Sequence, residues 1–347
     1  MARLIMTRLH IIIIICLSIF QISEAQMGGE STYDFLNLTT SAKVGALGGT
    51  NVSISDSIGD LNFVFHNPAL LKADMDNALA FNYVPYIADI NYGYFAYAKH
   101  FRDLGTFGLA VHNVNYGSFT RTNEYHEELG TTNAAEYALI LTYARKLTPT
   151  ISMGMSVKPI YSKFDTYTSF GLATDFGFNY IRRDKNFSMG IVLKNLGSQI
   201  STYEDTSEDM PSDLQIGFTK KLAHAPFRFS LTAQHLLDWD LTYERSDNST
   251  TTGLSDGTED DPSFGDQLMR HMVLGIEFLP AKNFHIDFGY NHRRRKELGY
   301  EEKMSTAGYS WGFGFRIYKF MFSYGSARYH LGGTSNHFSI TTNLSNF

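Results

Sequence analysis

Cysteine is almost missing from this chain of 347 residues: Cys16 is the single one. The remainder therefore has no route to a disulfide, a thiolate nucleophile or a cysteine-based metal site. A basic excess is missing as well. Lys and Arg total 29 against 35 Asp and Glu, a formal charge of −6, which argues against a general nucleic-acid binder. Past residue 25 no apolar run approaches the ~18 residues that a transmembrane helix needs. Proline is scarce, with 8 in all. No H-E-x-x-H or similar metal signature occurs, and nothing calls for a cofactor.

What is present points to strands. The chain carries 21 Tyr, 27 Phe and 29 Gly, a balance that suits sheet better than helix. Its first 25 residues read as a secretory signal peptide. Arg3 and Arg8 form the charged start, Ile11–Phe20 the apolar core, and Ser23-Glu24-Ala25 the small-x-small cleavage site. Cys16 lies inside the apolar core rather than after it, so it leaves with the signal instead of serving as a lipid anchor.

From residue 79 onward the hydrophobic period is two. In "YSWGFGFRIY", Tyr309, Trp311, Phe313, Phe315 and Ile317 alternate with Ser310, Gly312, Gly314 and Arg316. Fourteen such segments occur, near 79–84, 90–101, 105–117, 134–147, 151–164, 169–182, 187–197, 212–222, 227–238, 269–280, 284–293, 308–318, 319–329 and 336–345. Most reach the ~10 residues with which a tilted strand crosses a bilayer. Every second connection is short: 102–104, 148–150, 183–186, 223–226 and 281–283. The others include long ones at 118–133, 198–211, 239–268 and 294–307. That rhythm belongs to outer-membrane barrels, with both termini on the short-turn, periplasmic side. The expectation is an all-β chain, a 14-stranded antiparallel barrel over 79–347. Segment 26–78, which lacks the period, becomes a plug or periplasmic lid. Aromatic residues then face lipid, so Phe313→Asp should impair insertion while Ser310→Asp is tolerated.

Several stretches are similar to the PorV/PorQ family of outer-membrane proteins of type IX secretion in Bacteroidetes, itself similar to FadL-type fourteen-strand barrels. They are "GGESTYDFLNL" (Gly28–Leu38), "GALGGTNVSISD", "NPALL", "VNYGSF" (Val114–Phe119), "KPIYSKFDTYTSFGLATDFG" (Lys158–Gly177) and "KKLAHAPFRFS" (Lys220–Ser230). The resemblance covers nearly all of the chain past the signal. Gly48, Gly49, Asn67, Pro68 and Ala69 carry the motif shared across the FadL-like group, read as structural. The resemblance implies a role and no reaction. It would be a tether for a PorZ-like surface protein within a PorU/PorV-like attachment complex, which processes cargo and links it to lipopolysaccharide. The alternative is a FadL-like transporter of a hydrophobic molecule.

Chemistry is sparse. His285 and Asp287 share one face of a strand, but no nucleophile with an orienting base can be read beside them. They read as polar wall residues, hydrogen-bonded across strands. The inward face mixes glycine with charge: Lys158, Asp175, Lys194, Arg228, Glu277 and Arg316. Such charges are expected to pair across the lumen, and the glycines to make room for segment 26–78. A passage for a hydrophobic ligand would want an apolar lining instead. Two outer loops carry opposite charge. Asp256, Glu259, Asp260 and Asp261 form a candidate partner-docking acidic loop. Arg293, Arg294, Arg295 and Lys296 form a candidate contact for lipopolysaccharide phosphates or a partner. "SDGTEDD" (Ser255–Asp261) misses the spacing of an EF-hand calcium loop.

Overall fold

The computed structural model describes residues 31–54, 60–125, 127–204, 206–241, 263–298, 306–330 and 333–347. The signal segment 1–25 and the acidic residues Asp256, Glu259, Asp260 and Asp261 lie outside them.

A sheet with one greasy face must either be covered or close on itself. Here it closes. The strands are β1 (Ala78–Pro85), β2 (Asn91–Phe101), β3 (Gly105–Thr122), β4 (Glu128–Lys146), β5 (Ile151–Phe164), β6 (Tyr167–Arg182) and β7 (Phe187–Ser201). They continue with β8 (Asp213–Lys221), β9 (Phe227–Ala233), β10 (Met272–Ala281), β11 (Phe284–Asn291), β12 (Tyr309–Ile317), β13 (Phe320–His330) and β14 (Gly333–Asn343). Each pairs antiparallel with its chain neighbour, and β1 pairs with β14 to complete a fourteen-strand barrel. In β12, Tyr309 is 58% and Trp311 49% exposed on the outer wall, whereas Ser310 is 6% exposed and faces in. Phe81, Leu109, Leu139, Phe176, Ile276 and Phe288 continue the outer apolar band around the ring.

Segments read as loop or strand shift at four places, one of them the end of the 284–293 strand, where the chain leaves β11 after Asn291 and residues His292–Glu297 form a helix. Residues 118–133 are mostly sheet, because Ser118 pairs with Asn133 and Arg121 with Gly130. Both faces are exposed there, so no apolar alternation marks the strand ends. The 227–238 strand stops at Ala233, before His235 adopts a left-handed φ of 55°. Residues 269–271 belong to a helix, because Ser263 caps it by accepting from the Asp266 amide.

Residues 31–54 and 60–77 run inside the barrel. They hold a short helix α1 (Ala42–Ala46) and several 3-10 turns. Helix α1 packs on β11–β14, and the turn Pro68–Leu70 packs on β4–β6. Tyr33, Phe35, Leu36, Phe65 and Leu71 join Tyr92, Tyr94, Ile140 and Ile160 of the wall in one buried cluster. A second cluster is formed by Val44, Leu47, Ile54, Phe63 and Leu70. An irregular chain cannot satisfy its own backbone, so other groups must. Wall side chains do so: Ser339 accepts from the Ala42 amide, Ser310 donates to Ala46 O, Ser188 to Ser53 O and Ser152 to Ala69 O.

Candidate functional site

The wall glycines mark where the inner segment touches. A Cβ at Gly154 would strike the Pro68 backbone, one at Gly190 the Val52 carbonyl, and one at Gly325 the Ala42 carbonyl. At Gly289 it would meet the Gly48 nitrogen, and at Gly312 the Ala46 methyl. Backbone thus lies directly on wall, which only a side chain of one hydrogen permits.

Asn67 joins three parts of the chain. Its Oδ1 accepts from the Ala69 amide at 2.9 Å, capping the turn that Pro68 starts. Its Nδ2 donates to Val52 O at 2.8 Å and to Phe178 O of β6 at 3.3 Å. Gly48 and Gly49 both have left-handed φ, +100° and +97°. Any Cβ at Gly48 would collide with Val273, and one at Gly49 with the Arg294 guanidinium.

That last contact unites two features far apart in sequence. Arg294 belongs to helix α3 (His292–Glu297), whose N-cap Asn291 accepts from the Arg294 amide at 3.1 Å. The Arg294 guanidinium turns inward, donates to Gly48 O at 3.0 Å and stacks 3.8 Å above the Tyr329 ring. Its neighbours are engaged as well. Arg293 Nε donates to Glu297 at 2.5 Å, the Arg295 guanidinium lies 5.8 Å from the Tyr309 ring, and Lys296 pairs with Asp266 at 3.2 Å. The basic run at 293–296 is therefore a fastening between rim and inner segment as well as a surface.

Asp266 lies on helix α2 (Phe264–His271) and receives Arg270 at 2.9 Å and His292 at 3.0 Å besides Lys296. Burial alone would raise its carboxyl. Hydrogen bonds from His292, Arg270 and Lys296 outweigh that and hold it well below the ordinary carboxylate range. Trp239 stacks on Phe264 and on His271, and the His271 ring bridges Gln234 O and Trp239 O.

Lys158, Asp175, Arg228 and Glu277 pair between neighbouring strands and not across the interior as expected, because the inner segment occupies that space, while Lys194 and Arg316 are in no ion pair among the described residues. Lys158 Nζ sits 2.6 Å from Asp175, and Asn195 links to both. Arg228 and Glu277 are direct register partners on β9 and β10, and their side chains form a fork. Lys43 of α1 joins the same Glu277 at 2.9 Å, tying the inner segment to the wall. His285 Nδ1 lies 2.8 Å from Asp287 along one strand, so this pair does not cross strands as expected. The His285 Nε2 has no hydrogen-bond partner among the described residues.

Two cavities flank the inner segment. One of about 870 Å³ opens at the short-turn end, between Lys43, Asp60, Arg228, Lys282 and Arg316. The other, about 260 Å³, lies toward the opposite rim between His66, Lys194, Asp213, Gln215, His235 and Arg294. Asp60, Asp213, Lys194 and the other charged groups give both a polar lining.

No family model and no curated protein matches the chain. Solved structures do. A TodX monoaromatic hydrocarbon channel with a deltaS2 mutation superposes with a TM-score of 0.52 at 11% identity, over 88% of this chain and 97% of that one. The P. putida toluene transporter TodX gives 0.52 at 11%, over 89% and 99%. The monoaromatic hydrocarbon channel CymD gives 0.50 at 10%, over 89% and 98%. The chain has the fold of a FadL-like outer-membrane barrel. These neighbours are named as channels and transporters, not enzymes.

Proposed function

We propose that this barrel is a non-enzymatic outer-membrane component of type IX secretion, a PorQ-like anchor for a PorZ-like surface protein of the attachment complex. The observation that carries the structural half of this reading is the fastening of the interior. Lys43–Glu277, Arg294–Gly48 and the Asn67 hydrogen bonds fix the inner segment to the wall and rim. A lumen stitched this way, with charge-lined cavities, suits a rigid platform better than an oily conduit. The secretion half rests on the sequence resemblance alone. In this reading the 26–78 segment is a plug, both termini are periplasmic, the signal peptide is cleaved after Ala25, and the α2–α3 rim faces the partner or lipopolysaccharide.

The second reading is a FadL-like transporter of a hydrophobic molecule. The comparisons back it better than the first, since the similar structures are named as hydrocarbon channels and nothing in them bears on secretion. One experiment separates the two. Pull-down of the tagged chain in mild detergent should recover a stable surface protein at constant stoichiometry, and deletion should leave uptake of monoaromatic hydrocarbons unchanged. Recovery of the barrel alone, together with lost uptake, establishes the transporter and ends the anchor.

A further inference from the structure

The short-turn cavity has an uneven charge. Its described lining contains eight lysines and arginines and one carboxylate, Asp60. Some of this charge is matched locally, since Lys43 and Arg228 converge on Glu277 and Arg182 pairs with Asp184. Arg183, Lys221, Lys282 and Arg316 remain on the lining, and among the described residues none is in an ion pair. Arg316 lines the same hollow from the wall, and its Nε has no hydrogen-bond partner among the described residues. A volume of about 870 Å³ is within the ordinary range for small-molecule sites, roughly 300–1,000 Å³. Flexible lysines and a planar guanidinium around one hollow suit the chemistry of an oxyanion.

We propose that the short-turn end of the barrel binds a small, multiply charged oxyanion, with Arg316 and Lys221 reaching it from the ends of β12 and β8 and Lys282 from the β10–β11 turn. A phosphate ester and a polycarboxylate share the chemistry the cavity recognises. The site lies at the end opposite the α2–α3 rim, so it is independent of how surface partners are held.

The test is calorimetric titration of the full chain in an uncharged detergent at constant ionic strength, with sodium tripolyphosphate in one arm and citrate in the other. Saturable binding of either is expected, and the stronger arm identifies the source. Lys282→Gln with Arg316→Gln should weaken it about tenfold. Arg121→Gln with Lys163→Gln, which removes the same charge at the far end, should leave it unchanged. Should the Arg316 variant fail the heat-modifiability test for a folded barrel, Lys221→Gln with Lys282→Gln, both in exposed positions, carries the same prediction. Absence of saturable binding to wild type, or an equal loss in the far-end control, overturns the site.

Discussion

Asn67 shows how much one side chain can hold. Its amide makes three hydrogen bonds to an adjacent turn, a neighbouring loop and the wall, and it is fully buried. Asn67→Ala leaves those groups unsatisfied, at about 1–3 kcal/mol for each buried orphan. The expected outcome is a lower unfolding midpoint and faster proteolysis between residues 31 and 77, whereas wild-type proteolysis there would show the amide to be dispensable. The Lys158–Asp175 pair is similarly committed, with both side chains almost fully buried. Asp175→Asn should destabilise by about 3–5 kcal/mol, because the charge of Lys158 is then buried without its partner. Restoring most of that by adding Lys158→Met is the check in a double-mutant cycle. At β12 the structure revises one expectation from the sequence. Phe313→Asp should still hinder insertion, since it puts charge on the lipid face. Ser310→Asp is no longer expected to be tolerated, because Ser310 donates to Ala46 O and a carboxylate there would oppose that carbonyl. Heat-modifiable mobility of both variants measures this, and a fully folded Ser310→Asp barrel would deny the contact. The alternation of β12 was readable because lipid and lumen demand opposite side chains. The reason Ser310 must be serine was not readable, since it lies in a backbone group distant in sequence.

Elements were legible where two environments flank them and illegible where one does. The end of β3 past residue 118 and the start of β4 up to residue 133 are wet on both faces, so no period announces them. Helix α2 was missed because it runs straight into β10 and His271 falls in the polar phase of that strand, although Ser263 followed by Asp266 is a readable helix-start pattern. The rim that α2 makes with α3 centres on Asp266, whose carboxyl is held below its ordinary range. A depressed folded value means that its contribution is complete above the unfolded value near ~3.9 and is lost as pH falls through the folded one. Trp239 reports on this rim through its stack on Phe264, and Trp311 is the other of the 2 tryptophans. In a Trp311→Phe background, Trp239 fluorescence should therefore stay constant down to about pH 5 and change only below about pH 4. Asp266→Asn should abolish that transition, and a wild-type midpoint between about pH 5 and 7 would assign it to a histidine instead.

At the scale of the whole molecule, fourteen strands and their short-turn side followed from periodicity, because a closed sheet repeats one rule along its length. The inner segment follows no such rule. Its path is set by Ser339, Ser310, Ser188 and Ser152 reaching its backbone and by glycines that let it lie against the wall. Those partners come from strands scattered over the chain, so the sequence of 31–77 read alone carries no trace of where it goes. The anchor and transporter readings part at the interior, over whether the chain itself keeps the lumen closed. Single-channel recording of the purified chain in a planar bilayer tests that most directly. A lumen held shut by Asn67, Arg294 and the Lys43–Glu277 pair predicts no steady ion conductance. A large, stable conductance from the wild-type chain would contradict it.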